Sequence, residues 1–389
     1  MSLTPGGMTV GRDNILRLLS YIGSPQNTLK VFHVTGSNGK GSVCQMISQV
    51  LFKQFHKKVG LFTSPHLINI TERFQINGRP ISNERLNKYY KSVFKLAKKY
   101  TIELSFFEIQ VVAMVLYFTD EKVDYAVVET GLGGLYDGTN IFEHPLACFI
   151  TSITIEHSHI LGKTRESVLK NKLGIVKNGT NLYTWIQNIQ VKEYCEKIGA
   201  KLGTRNSELG TLKITNLPGD HQQKNALLVL QALKDLGFEQ EKIMTGLKNV
   251  HNVGRFEWIF PHILVDTANN EQNIKILAKM LNQIGHKKKM TIIFGTTQTE
   301  PLYAAELANL IPSDRKILVD DFCERALPCS EFSHLIPHNA VWHLNAESGI
   351  QKIKSIFEKN NEEIFIICGS IYLVGYIMNL SRYNVFAKG

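Results

Sequence analysis

Apolar and polar positions alternate along this chain with two periods in turn. In "RDNILRLLSYIG" Ile15, Leu16, Leu18, Leu19 and Ile22 fall on one helical face, and Gly23 marks the stop. The β-branched run "KVFHVT" predicts a short buried strand. The stretch behind it predicts a helix with Val43, Ile47, Val50 and Leu51 on a shared face. "KVGLFT" reads as a second strand, and "SPHLINITERFQINGRPIS" as a long polar loop. Asn83 to Tyr100 has the spacing of a basic amphipathic helix, and Phe106 to Phe118 that of a mostly buried one. "VDYAVVET" and "LACFITSI" are continuous apolar runs, the pattern of strands covered on both faces.

Strand and helix patterns in alternation imply an α/β fold, here a P-loop-type domain with a mostly parallel sheet. After the helical "LPGDHQQKNALLVLQALKDLG" the chain reaches "NVHNVGRFEWI", and the alternation restarts. "ILVDT", "TIIFG", "KILVD" and "IFIICGS" are four apolar strands separated by helix-like stretches, a smaller Rossmann-like α/β domain. The boundary is expected near Val253, giving domains at 8–252 and 253–389. No internal repeat appears.

Composition narrows the class. The 389 residues are 43% hydrophobic and 20% charged, as in a soluble globular protein, and no apolar run approaches the roughly 18 residues of a membrane span. Six cysteines lie scattered without a C-x-x-C pair, which argues against a disulfide framework or zinc site and for a reducing cytoplasm. The formal charge of +10 suits anionic ligands. Its basic residues are dispersed, without interleaved aromatics, so small phosphates and carboxylates fit better than nucleic acid.

Candidate chemistry begins at "HVTGSNGKGS". The familiar phosphate loop is G-x-x-x-x-G-K-[ST], and this stretch departs from it: Val34 stands five before Gly39, and Gly41 intervenes before Ser42. The physical parts are nevertheless present. Glycines at Gly36, Gly39 and Gly41 follow a strand and open a helix, where backbone N–H groups converge on phosphate oxygens. Lys40 supplies a point charge, and Ser42 an oxygen for Mg²⁺. The plainer reading is a glycine-rich turn of any doubly wound domain.

Other candidates are singly weaker. Glu129 ends a buried strand, where it either completes a Mg²⁺ shell or caps its loop. Glu156, His157 and His159 follow another strand, and H-x-H spacing on an extended chain sends the two histidines to opposite faces. Lys170 and Lys172 read as solvated helix lysines. Arg255 in "GRFE" could clamp a phosphate, and Asp266 at a strand end could hold a ribose hydroxyl.

In collinear order, "HVTGSNGKGS", "LFTSPHL", "TERFQINGRPIS", "FFE", "ETGLGGLYDGTN", "TSITIEHSHILG", "LPGDHQQKNAL", "GRFE", "VDTANN" and "CGSIYLVG" resemble the folylpolyglutamate synthase/dihydrofolate synthase family of the Mur ligase superfamily. The resemblance spans Ile15 to Gly375. The superfamily loop has the form T-G-[TS]-N-G-K-G-S, which explains the departure from the commoner template. Too few residues precede Gly36 for the UDP-sugar domain of the peptidoglycan branch, so the folate branch is expected.

The resemblance implies an ATP-dependent ligase. A folate or dihydropteroate carboxylate becomes an acyl phosphate, and the amine of L-glutamate displaces the phosphate. It implies a nucleotide site of Gly36, Ser37, Asn38, Gly39, Lys40, Gly41, Ser42, Asn225, Arg255 and Asp266. Ser42 and Glu129 would hold one Mg²⁺, and His157 with Glu129 a second. Lys172 would be carbamylated and become a metal ligand, and Lys40, His157, Lys172 and Arg255 would serve catalysis. Ser64, Pro65 and His66, with Asn269 and Ser370, would contact folate and glutamate. A cytoplasmic monomer is expected, without nucleic-acid or membrane partners.

The chain also departs from the family pattern. D-G-A-H-N-P becomes Asp266-Thr267-Ala268-Asn269-Asn270-Glu271, so the histidine associated with glutamate is Asn269. F-G-x-x-x-D-K-D becomes "FGTTQTEP", an arginine becomes Leu135, another becomes Asp220, and two aspartates become Glu156 and His159. The ATP and metal half keeps the pattern better than the second domain. Two rival readings follow: a Mur-type ligase with a changed carboxylate substrate, or a nucleotide-binding homologue without catalysis.

Overall fold

The computed structural model describes residues 11–155, 157–203, 213–284, 289–297, 299–337, 341–345, 348, 351, 355 and 363–382. Glu156 lies outside the described residues. The described chain divides into two compact units. One runs to His66 and resumes from Ile70 to His251; the other comprises Leu67–Asn69 and the chain from Asn252 onward.

The first unit contains α1 (Asp13–Ser20), β1 (Val31–Thr35), α2 (Lys40–Phe55), β2 (Val59–Phe62), β3 (Phe74–Ile76) and β4 (Arg79–Pro80). It continues with α3 (Asn83–Lys99), α4 (Phe106–Asp120), β5 (Tyr125–Glu129), β6 (Ala147–Ile150), α5 (Ser158–Leu161) and α6 (Arg165–Leu173). β7 (Asn181–Thr184), α7 (Ile189–Ile198), β8 (Lys201–Leu202), α8 (Asp220–Asp235) and α9 (Gln240–Lys248) complete it.

Its eight strands are ordered β4-β3-β2-β5-β1-β6-β7-β8. All pair in parallel except the β2–β3 and β3–β4 ladders. β1 lies between β5 and β6, with Val34 opposite Glu129 and Thr35 opposite Ile150. That register brings three strand ends to one edge, where open α/β sheets bind ligands.

Alternation along β1 explains how both faces are covered. Phe32 and Val34 join a core with α2, α8 and α9, and Val31 joins one with α1, α3 and α4. α4 begins with a reciprocal cap: Ser105 Oγ accepts from Glu108 N–H, and the Glu108 carboxylate accepts from Ser105 N–H at 2.7 Å. A third core joins β6 to α6 and α7.

The stretch read as one long loop after β2 holds the β3–β4 hairpin. Its turn is Asn77-Gly78, with φ of 52° and 75°, and Asn77 Oδ1 also accepts from Val59 N–H. Asn-Gly is the strongest short hairpin signal, but strands of three and two residues leave too little alternation to register as period two.

The second unit contains β9 (Glu257–Phe260), β10 (Ile263–Val265), α10 (Glu271–Ile284), β11 (Met290–Phe294), α11 (Pro301–Asn309) and β12 (Arg315–Asp320). α12 (Cys329–Phe332), β13 (Val341–Asn345), β14 (Ile364–Cys368) and α13 (Ile371–Arg382) follow. The sheet order is β13-β12-β11-β14-β10-β9, parallel except for β9 against β10. Six strands therefore stand where four were expected. β9 is a partly exposed edge strand that begins with a charged residue, and β13 follows a stretch with little periodicity. Two apolar cores cover the two faces.

Candidate active site

The Gly36–Ser42 loop joins β1 to α2, as its glycines predict. Gly36 has φ of 150°, and a Cβ there would overlap Thr151 Oγ1, so only glycine lets β1 turn beside the end of β6. The loop is then laced to the chain after β6. Ser37 N–H donates to Ser152 O at 2.9 Å, and Asn38 N–H donates to Ser152 Oγ at 2.8 Å. Thr151 Oγ1 and Ser152 Oγ both donate to Asn38 O, at 2.6 and 2.9 Å. Thr154 N–H donates to Ser37 Oγ at 3.0 Å. A loop so tied presents its remaining N–H groups without an ordering cost on binding.

Lys40 opens α2 and donates from Nζ to Gly36 O at 2.9 Å and Ser37 O at 3.4 Å, so its charge sits over the loop. Ser42 is buried, and its Oγ accepts from Gln222 Nε2 at 3.2 Å. Glu129 is buried at the end of β5. Its Oε2 accepts from Ser64 N–H at 3.2 Å, and a Cβ built at Gly41 would lie 3.8 Å from that oxygen. The loop, the Glu129 carboxylate and the Ser64 backbone therefore occupy one neighbourhood. Asn225, on α8, packs on Gly39: a Cβ there would meet its amide nitrogen at 3.0 Å.

The loop after Glu129 is fastened from below by groups the sequence reading passed over. Asp137 is buried and accepts from Leu132 N–H at 2.6 Å and Thr139 N–H at 2.9 Å, and from the Thr139 hydroxyl. Because Thr139 gives its proton to Asp137, its oxygen accepts from His33 Nε2, at 2.9 Å. His33 is thus the neutral Nε2–H tautomer, and burial, with nearby Lys177, lowers its pKa to about 3. Burial raises the Asp137 carboxyl, and its backbone donors oppose that rise. Thr35 Oγ1 donates to Gly133 O, binding the same loop to β1. His33 and Asp137 stood inside quoted stretches; only their link through Thr139, 106 residues from His33, was hidden.

Lys172 corrects its plain reading. Lys170 is exposed as expected, whereas Lys172, on the same helix, is 1% exposed. A bare ammonium is costly at such a site unless paired or chemically altered. His157 and His159 also differ from expectation. His157 has φ of 45° and α5 follows at once, so the chain is not extended and no alternation of faces arises. Both imidazoles are exposed, with ring centroids 6.3 Å apart. Among the described residues no three His, Cys, Asp or Glu side chains gather as a metal cluster.

Of the residues in the chain after β2, Ser64 is half-buried, Pro65 exposed and His66 half-buried. His66 Nδ1 accepts from Arg73 Nε at 3.0 Å, and burial together with the Arg73 charge keeps the imidazole pKa below its usual value.

In the second unit Arg255 is half-buried in a turn closed by two carboxylates. Gly254 N–H donates to Glu257 Oε2 at 2.6 Å, and Phe256 N–H to Asp266 Oδ2 at 2.8 Å, with Phe256 at φ of 47°. Asp266 Oδ1 accepts from Ala268 N–H at 2.7 Å. Burial raises the Asp266 pKa, and Arg255 pulls it back. Asn269 is exposed; Ser370 is buried, and its Oγ accepts from Tyr372 N–H at 3.2 Å at the start of α13.

Comparison with known proteins bears on this arrangement. The Mur ligase middle domain matches residues 34–207. The Bacillus subtilis dihydrofolate synthase/folylpolyglutamate synthase is 30% identical over 412 residues, covering 95% of each chain. The chain belongs to that family. As a dihydrofolate synthase/folylpolyglutamate synthase family member it is an ATP-dependent ligase. The Saccharomyces cerevisiae dihydrofolate synthetase is 28% identical over 418 residues, covering 95% of this chain and 97% of its own. The bifunctional folylpolyglutamate synthase/dihydrofolate synthase of Yersinia pestis, solved with AMPPNP and Mn ion, has a TM-score of 0.84. It is 22% identical and covers 98% of this chain and 95% of its own, a likeness of fold. The family's P-loop-type sheet and smaller second sheet are the architecture that the apolar runs predict.

Proposed function

We propose that this chain joins L-glutamate to the carboxylate of a folate, with ATP converted to ADP and phosphate. The observation that carries the reading is the meeting of the Gly36–Ser42 loop, the Glu129 carboxylate and the Ser64 backbone in one neighbourhood. That meeting supports a phosphate site beside a metal-type carboxylate and the stretch expected to face the folate.

The residues present fit a hard divalent cation. Ser42 Oγ and the Glu129 carboxylate are oxygen donors, the set that Mg²⁺ prefers. Such an ion, when bound, would lower the repulsion between the anionic partners. Lys40 would turn its charge from the loop carbonyls to the ATP phosphates. The loop N–H groups would hold those phosphates in line with the folate carboxylate. Arg255, kept in its turn by Glu257 and Asp266, would supply the clamp on the transferred phosphoryl group. Asn225 would meet the adenine and Asp266 the ribose. L-Glutamate would be met by the second unit, with Asn269 and Ser370 as its contacts.

The finer points belong to the same proposal. Burial of Lys172 supports its carbamylation, which would exchange the ammonium for an anionic ligand able to pair with a bound cation. His157 would join Glu129 at a second ion. Six free thiols, five of them buried, support a cytoplasmic setting. A monomer is the expected state, checked by light scattering.

The test is phosphate release from ATP and Mg²⁺ with L-glutamate, comparing tetrahydrofolate, dihydropteroate and no acceptor, with Lys40→Ala as control. Release that requires both glutamate and tetrahydrofolate supports the polyglutamylating activity, and dihydropteroate turnover adds the synthase. Release with neither acceptor, beside measurable ATP binding, sends the reading to a Mur-type ligase with another carboxylate. The exposed Asn269 in the family's histidine position favours that second reading.

A further inference from the structure

Gln222 lies outside every role assigned above, yet it is 5% exposed and stands between two of the assigned residues. Its Oε1 accepts from Asn225 Nδ2 at 3.3 Å, and its Nε2 donates to Ser42 Oγ at 3.2 Å. Ser42 and Asn225 are each 6% exposed, so three polar side chains form a chain of hydrogen bonds in the interior. Gln222 and Asn225 lie three apart on α8, one turn, and so share a helix face.

The direction of this chain has a chemical consequence. An amide has one acceptor end and one donor end. Asn225 takes the acceptor end of Gln222, which leaves the donor end for Ser42. Ser42 Oγ must then accept, and a hydroxyl has two lone pairs and one proton. With one lone pair held by Gln222 Nε2, the setting of the Ser42 hydroxyl is tied to α8.

We propose that Gln222 is a positioning residue: it sets the hydroxyl of Ser42 for a divalent cation and ties that setting to Asn225, on the nucleotide side. The proposal rests on the ligase reading above, in which Ser42 is a metal ligand. Gln222 itself touches neither metal nor substrate in this account. The sequence signal was available, since Gln222 stands in "LPGDHQQKNAL", but nothing in its spacing says that it reaches α2.

The test measures ADP binding by calorimetry, in excess Mg²⁺ and again in EDTA, for wild type, Gln222→Met and Gln222→Glu. Gln222→Met keeps the volume and removes the donor. ADP affinity in EDTA is expected to stay within about twofold of wild type, while the gain from Mg²⁺ falls about five- to tenfold, the loss of one buried hydrogen bond. Gln222→Glu turns the bond round: its carboxylate accepts the Ser42 proton and adds negative charge, so the Mg²⁺ gain is kept or rises. Equal loss of ADP affinity with and without Mg²⁺ in Gln222→Met, or no loss at all, overturns the proposal. So does a lower Mg²⁺ gain in Gln222→Glu, which decides alone should Gln222→Met fail to fold. A wild type with no Mg²⁺-dependent gain overturns the ligase reading itself, and this inference with it.

Discussion

The Glu129 carboxylate accepts a hydrogen bond from the backbone N–H of Ser64 at 3.2 Å. The contact joins the end of β5 to the chain leaving β2, its neighbour in the sheet. One carboxylate thus shapes the stretch expected to face the folate and stands beside the Gly36–Ser42 loop. Glu129→Gln keeps an acceptor for Ser64 and removes the charge. The expected outcome is a folded protein whose Mg²⁺-dependent phosphate release falls about a hundredfold or more, and EDTA should bring wild type to the same level. Steady-state release over a Mg²⁺ series checks it, and wild-type rates at every concentration would exclude Glu129 from the metal site.

Gly36→Ala tests the loop. The new Cβ has no room beside Thr151, and φ of 150° is unfavourable for any residue with a side chain. A cost of about 1–3 kcal/mol in stability is expected, with loss of ADP binding because the lacing to Ser152 must shift. Chemical denaturation and calorimetry read the two effects separately.

Lys172 separates structural from chemical roles. In Lys172→Met glutamate-dependent turnover is expected to fall about a hundredfold. In ¹³C-bicarbonate, wild type should show a carbamate resonance that the variant lacks. Full activity in Lys172→Met would reduce Lys172 to a packing residue.

His33 gives a pH dependence with a definite sign. Its pKa is about 3 in the folded protein and about 6.5 when exposed, so between these values the unfolded chain binds more protons. Stability from this group is complete above about pH 6.5 and is lost as pH falls toward 3. Between pH 7 and 5 wild type should lose about 2 kcal/mol more than His33→Gln. Urea titrations at half-unit steps check the slope, and parallel curves for the two proteins would refute the neutral buried imidazole.

Local pattern determined much of this protein. Continuous apolar runs set β1, β5 and β6 as interior strands, because a sheet covered on both faces leaves no polar alternation. Glycines between strand and helix marked the Gly36–Ser42 turn, because few other residues turn a chain so close to a neighbouring strand. The collinear motifs carried the family, and with it ligase chemistry.

What the sequence left open depended on pairing across long separations. The hairpin at Asn77-Gly78 needed β2 as a partner before two- and three-residue strands became strands. Lys172 looks like any helix lysine until the fold buries it. The Gln222–Ser42 bond spans 180 residues, and a helical period reports which face is apolar, not which neighbour that face will touch. Periodicity is a property of a segment, and it determined the elements here. The site is a property of strand order and register, which bring Thr35, Glu129 and Ile150 to one edge, and only the tertiary structure decided that.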